Sequence, residues 1–144
     1  MRIQRYLLLF VSVLCLSLTV KAGVPGEEEV KQAVSSYVKA TDTKNVSNLQ
    51  QLLSSNATFS TFNKINNRFS QLLAEDYISS VKSGKIGGWE RNLTINSVDV
   101  NENLAMAKIE LTDARLIQVE YVTLMKVDGS WKIVNSALTV EKKK

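Results

Sequence analysis

Asp128-Gly129 divides two runs of β-branched and aromatic residues, Tyr-Val-Thr-Leu-Met-Lys-Val before it and Ser-Trp-Lys-Ile-Val-Asn after it. A two-residue connection between strands favours a type I′ turn, whose central residues both take positive φ, and Asp-Gly adopts that geometry at low steric cost. Residues 121–135 are therefore a β-hairpin. Its two strands read as the closing end of a larger sheet.

Upstream the hydrophobic period changes. Val30, Ala33, Val34, Tyr37, Val38 and Thr41 recur at i, i+3, i+4, i+7 spacing, which predicts a helix. Glu27, Glu28 and Glu29 sit where carboxylates complement the positive end of its dipole. Residues 42–45 break the pattern, and Val46, Leu49, Leu52 and Leu53 mark a second, short helix. Residues 57–62 alternate as a strand, and residues 63–67 form an Asn-rich loop. Phe69, Leu72, Leu73, Tyr77, Ile78 and Val81 predict a third helix, ended by the glycines of 84–88.

From Trp89 onward the period is two. Leu93 and Ile95 share one parity and Val98 and Val100 the other, which predicts a β-bulge near Asn96-Ser97. Ala105, Ala107, Ile109 and Leu111 make one apolar face. Ile117, Val119, Tyr121, Thr123, Met125 and Val127 are read as the next inward set, followed by Trp131, Ile133, Asn135 and Ala137. Helices first and a long meander after them specify an α+β fold. The expected architecture is a curved antiparallel sheet packed on three N-terminal helices, which leaves a cone with an open mouth.

Residues 1–22 read as a signal peptide. Arg2 and Arg5 give a basic start, residues 6–20 an apolar run, and Val20-Lys21-Ala22 a small-residue exit. The apolar run falls short of the ~20 residues that span a bilayer, so cleavage is expected rather than retention as an anchor. The mature chain, 23–144, is then a single domain, exported to a periplasm or secreted, with no membrane association. The formal charge of +4 changes meaning accordingly. Loss of Arg2, Arg5 and Lys21 leaves +1, and Lys142, Lys143 and Lys144 account for three of the remaining positive charges, so the body is at −2. Acids and bases alternate along that body, which argues against a nucleic-acid partner, since such proteins cluster Lys and Arg on one face.

The chain has no His, and its one Cys, Cys15, lies in the leader. Ser-His-Asp and Cys-His catalysis are excluded, as are His- and Cys-based zinc sites and a disulfide within the mature chain. No metal or cofactor is expected.

Several segments carry a family resemblance. They are the helix, polar break and short helix of residues 37–49, then Asn56-Ala57-Thr58-Phe59, then Ile95-Asn96-Ser97-Val98-Asp99-Val100 with Leu104-Ala105-Met106-Ala107-Lys108-Ile109, and the hairpin 121–135. Over about residues 27–139 the chain is similar to the nuclear transport factor 2-like superfamily. Within it, the chain resembles the SnoaL-like and lumazine-binding-like group of small exported bacterial proteins. Two places depart from that group's pattern: Ser54-Ser55 stands where a His-Pro pair is frequent, and Ser136 where a Lys is common.

The resemblance implies a cone-shaped, cystatin-like roll that holds a small molecule. The superfamily includes ketosteroid isomerase, dehydratases and polyketide cyclases. An ungapped carry-over sets the isomerase's hydroxyl-donating tyrosine on Tyr37 and its general-base aspartate on Thr61, which cannot accept a proton near neutral pH. The preferred reading is therefore binding of an apolar or aromatic ligand without catalysis. Tyr37, Phe59, Tyr77, Trp89, Met106, Tyr121, Trp131 and Asn135 are the candidate contacts. Glu110 and Glu120 fall on the parity opposite the apolar face, and so are expected outside the cone. No catalytic residue is assigned. The alternative is an isomerase, dehydratase or cyclase that uses Tyr37 with a carboxylate inside the cone. A second alternative is a dimeric structural or interaction module. Members of the superfamily commonly dimerise through the sheet, and Val122, Leu124 and Val134, read as an outer apolar strip, are the expected homodimer contacts.

Overall fold

The computed structural model describes residues 24–144, so the leader and its cleavage site lie outside the described residues. Three helices, α1 (Glu27–Asp42), α2 (Val46–Leu52) and α3 (Ala74–Lys82), accompany six strands. The strands are β1 (Leu53–Asn63), β2 (Arg68–Leu73), β3 (Asn92–Asn101), β4 (Leu104–Thr112), β5 (Leu116–Val127) and β6 (Ser130–Lys142). They form one sheet in the order β2-β1-β6-β5-β4-β3. β1 and β6 are parallel and all other neighbours antiparallel. The α+β class is as expected, with a mixed rather than wholly antiparallel sheet.

The hairpin turn has Asp128 at φ +49° and Gly129 at φ +75°, the two positive values a type I′ turn requires. The expected bulge in β3 is present as a register shift between Ile95 and Ser97. In α1, Val30, Val34, Tyr37, Val38 and Thr41 are buried, and Lys44 at φ +55° turns the chain out of the helix. Asn45 caps α2, its Oδ1 accepting from the Asn48 amide at 3.0 Å.

Three expectations are corrected. The third helix does not begin at Phe69. Residues 68–73 form edge strand β2, paired with β1 from Thr58↔Leu73 to Asn63↔Arg68, and α3 starts at Ala74. A short apolar run is compatible with either state, and pairing with β1 decides it.

The inward face of β5 is also the opposite of the one expected. Gln118, Glu120, Val122 and Leu124 are buried. They stand opposite Leu111, Ile109, Ala107 and Ala105 of β4, and residues directly opposite in a ladder share a face.

The third correction concerns the proposed dimer strip. Val122 and Leu124 are wholly buried under the helices in the main core and so are not surface contacts. Val134 is half-buried at a second register shift, between Thr123↔Asn135 and Leu124↔Ile133. One extra residue there reverses the facing of the rest of β6, so Ser136 and Val140 are buried while Ala137 is exposed.

Candidate functional site

β1, β5 and β6 curve over α1 and α3 and enclose a cavity of about 290 Å³, at the lower end of small-molecule sites. Two depressions of about 520 and 550 Å³ are more open to solvent, one beside Ser54 and Ser55, the other beside Lys39 and Asp42. What distinguishes the enclosed cavity is its polar inner end.

Glu120 is 3% exposed. Tyr37 OH donates to its Oε1 at 3.0 Å, and Ser136 Oγ donates to the same oxygen at 2.5 Å. Tyr77 OH donates to Tyr37 OH at 3.1 Å, and Thr41 Oγ1 lies 3.0 Å from Tyr77 OH. A hydroxyl has one hydrogen to give, so Tyr77, Tyr37 and Ser136 all commit theirs toward Glu120. Among the described residues, none donates a hydrogen bond to Oε2 of Glu120. Among the described residues no side-chain oxygen is both sealed off and unpaired, so Oε2 opens onto the cavity that Glu120 lines.

Aromatic rings form the wall beside this group. Phe59 and Tyr77 stack with centroids 3.9 Å apart and planes within 11°, and Tyr37 lies 6.3 Å from Phe59. The mouth is built by the segment between α3 and β3. Gly87, at φ +65°, packs so closely on the Thr41 carbonyl that a Cβ there would overlap it, which holds Lys85, Ile86 and Trp89 at the rim. Trp89 Nε1 donates to Asp113 Oδ2 at 3.1 Å. Arg91 closes one side. Its Nη2 lies 2.6 Å and its Nε 2.7 Å from Asp42 Oδ1, and its Nη1 donates to Gln118 Oε1 at 2.9 Å.

Burial pushes the Glu120 carboxyl above its ordinary 4.5, although the hydrogen bonds from Ser136 and Tyr37 and the charge of Arg91 oppose the shift. Burial, then the nearby Glu120 charge, drive Tyr77 up to about 12 and Tyr37 well above its usual value. The raised Glu120 value has a defined consequence for stability. The folded protein keeps a proton that the unfolded chain releases near pH 4.5. Stability therefore falls as pH rises from there through the folded value, and above it the penalty is complete. Glu120→Gln keeps an acceptor for Tyr37 and Ser136 but carries no charge. It is expected to match the parent near pH 4 and to be the more stable protein at pH 8, read from urea unfolding across that range. A parallel pH dependence in both proteins would refute the assignment.

Of the residues selected from sequence, Tyr37, Phe59, Tyr77 and Trp89 come together around the cavity. Met106 and Tyr121 do not; they are half-exposed on the opposite side of the sheet. Asn135 faces away as well, its Nδ2 donating to Thr58 Oγ1 at 2.8 Å. Trp131 is buried elsewhere in the core, with its Nε1 donating to Glu29 Oε2 at 3.1 Å. Glu120, Gln118 and Ser136 were missed because the strand facing was reversed. Lys85 and Arg91 were missed because nothing in the local pattern marks a rim residue.

The sequence model of the "Putative lumazine-binding" family matches residues 25–138. The chain belongs to that family. Solved structures agree on the fold of this lumazine-binding-family domain. An NTF-2 like protein of unknown function from Silicibacter pomeroyi DSS-3 superposes with a TM-score of 0.70 at 18% identity, covering 79% of this chain and 94% of that one. A protein of unknown function with a cystatin-like fold from Nostoc punctiforme PCC 73102 gives 0.66 at 13%, covering 79% and 90%. A ketosteroid isomerase-like protein from Erwinia carotovora atroseptica SCRI1043 gives 0.64 at 11%, covering 83% and 98%. At these identities the likeness is one of fold. No curated protein matches the chain.

Proposed function

We propose that this is an exported binding domain that holds a small apolar or aromatic molecule in its cone. The observation that carries this reading is the free Oε2 of Glu120 at the inner end of an aromatic-walled cavity. A carboxyl oxygen that opens onto the cavity without a protein donor is free to exchange a hydrogen bond with a bound group. Stacked Phe59 and Tyr77 supply the apolar contact, and the exported location rests on the N-terminal sequence alone. A thermal-shift panel of flavin-related, steroid-like and aromatic polyketide-like compounds, with calorimetry on hits, tests the reading. A ligand at a hundredfold its Kd should add about 2.7 kcal/mol, and Thr61→Trp, which introduces bulk at the cavity wall, should abolish the effect. Failure of all three classes to stabilise the protein would refute it.

A second reading, proton-transfer catalysis, is favoured by one feature: a carboxyl with a raised pKa lies inside the cone beside Tyr37. General acid–base chemistry asks for such a group. The same hits, incubated in deuterium oxide and followed by NMR, decide it. Exchange of their protons at rates equal to those in buffer, or unaltered by Glu120→Gln, removes catalysis and leaves binding.

We further infer a homodimer through the outer face of the sheet, at other residues than the sequence pattern gave. Leu104, Met106, Tyr121 and Met125 on β4 and β5 are each close to half exposed; Leu104 stands opposite Met125, and Met106 and Tyr121 are diagonal neighbours across the same two strands. A contiguous apolar patch of this kind marks a contact surface. A single-chain mass by light scattering at working concentration would exclude the dimer.

A further inference from the structure

The cone is electrically two-ended, which narrows its ligand beyond apolar or aromatic. This inference rests on the cavity being a ligand site, and concerns which ligand. The groups that line it and carry or can carry a full charge near neutral pH are Glu120, Arg91 and Lys85. Arg91 is already engaged, by Asp42 and by Gln118. Lys85 is exposed at the rim and forms no ion pair among the described residues. Its backbone is anchored at the rim, because its amide and that of Ile86 both donate to the Ser80 carbonyl at the end of α3. Glu120 offers one unpartnered oxygen at the other end.

The separation of the ends follows from the strand. Glu120 and Leu116 both line the cavity from β5, four residues apart, so the lining extends about 13 Å along that strand at ~3.3 Å per residue. Between the ends the largest contact surfaces are aromatic or aliphatic, from Phe59, Tyr77, Leu116 and Leu138, while Thr61, Asn63 and Gln118 add polar edges to the same wall. A molecule that fits all three zones has a rigid apolar body, a group able to exchange a hydrogen bond with a carboxyl at its inner end, and an anion at its outer end.

We infer that the cone takes an elongated aromatic acid, its inner hydroxyl or amine on Glu120 Oε2 and its carboxylate on Lys85 at the rim. A hydroxyl suits Glu120 in either protonation state, since it can donate to the carboxylate or accept from the acid. The ion pair at the rim is charge-assisted and partly shielded by Trp89 and Ile86, which line the same mouth.

Calorimetry with 6-hydroxy-2-naphthoate, its methyl ester and 2-naphthoate tests both ends. The acid should bind at least about tenfold tighter than its ester, a difference of about 1.4 kcal/mol, and tighter than unhydroxylated 2-naphthoate. Lys85→Met, a change at an exposed side chain whose folding is verified by its thermal melt, should erase the acid–ester difference while leaving the ester's affinity in place. An ester that binds as tightly as the acid, or a ratio that survives Lys85→Met, overturns the two-ended ligand and leaves the cone a ligand site. Equal binding of 2-naphthoate and its hydroxylated form removes the Glu120 contact. If none of the three compounds binds at millimolar concentration, this inference falls; the cone's capacity for other ligands is then judged on the stabilisation panel.

Discussion

Arg91→Met is expected to destabilise the protein by up to about 3–5 kcal/mol, the cost of removing one partner from a fully buried ion pair. The Arg91 and Asp42 side chains are each 9% exposed, and the guanidinium lies 2.6 Å from the carboxylate. The Arg91 backbone amide adds a third link, donating to Asp42 Oδ2 at 3.1 Å. Asp42 is the last residue of α1, Arg91 immediately precedes β3, and Gln118 is on β5, so one side chain ties the end of a helix to both flanks of the cone. Methionine matches much of the apolar stem but leaves Asp42 Oδ1 and Gln118 Oε1 without their guanidinium donor, with only the backbone amide of residue 91 still on Asp42 Oδ2. The double variant Arg91→Met/Asp42→Leu removes both charges and should recover most of the loss, because an apolar pair of similar volume is often as stable as a buried ion pair. Arg91→Lys should fall between, since an ammonium keeps the charge but not the fork. Urea unfolding of the four proteins reads all three differences. A single-variant loss below about 1 kcal/mol would place this pair with ordinary surface bridges and would contradict the burial.

The same tie matters for the site. Its charge favours the ionised form of Glu120, and by holding Gln118 it fixes the strand that carries Glu120. Electrostatics at the inner end and architecture at the mouth are therefore coupled through Arg91.

Much of this fold is legible in the chain. The stripe through Val30, Val34, Tyr37 and Val38 gives α1, the parity slip around Asn96 gives the β3 bulge, and Asp128-Gly129 gives the hairpin. Tyr37, Phe59, Tyr77 and Trp89 were also reachable as cavity residues from the amphipathic pattern and the family resemblance. Alternation alone does not mark Glu120, but the register set by the hairpin turn does. A two-residue turn at 128–129 sets Val127 opposite Ser130. Residues that share a face on its two strands must then differ in parity. With Trp131 and Ile133 inward, the inward positions of β5 are even, which buries Leu124, Val122 and Glu120. Apolar residues on both faces of β5 conceal this rule, because alternation alone cannot choose between them. The extra residue at Val134 is different in kind. No local pattern marks it, and it is what turns Ser136 inward to meet Glu120. The parallel pairing of β1 with β6 and the strand state of residues 68–73 likewise depend on partners distant in sequence.

The reversed facing of β5 yields a pair of variants with opposite effects. Leu124 is fully buried and stands opposite Ala105 and Ile133 in the middle of the sheet. Leu124→Ala should cost about 2–5 kcal/mol, combining lost transfer energy with the cavity left behind. Small neighbours limit relaxation on the Ala105 side, which favours the upper half of that range. Because the side chain faces the helices and not solvent, the mass measured by light scattering should not change. Tyr121, three positions earlier, points the other way and is 45% exposed, with Lys108 Nζ 5.7 Å from its ring centre. Tyr121→Glu should alter folding stability by less than about 0.5 kcal/mol beyond any loss of association, as exposed substitutions commonly do, but should dissociate a dimer formed through that face. Urea unfolding and light scattering on both variants separate the two roles. A Leu124→Ala protein that unfolds like its parent but loses a partner would return Leu124 to the surface and overturn the strand facing on which the position of Glu120 depends.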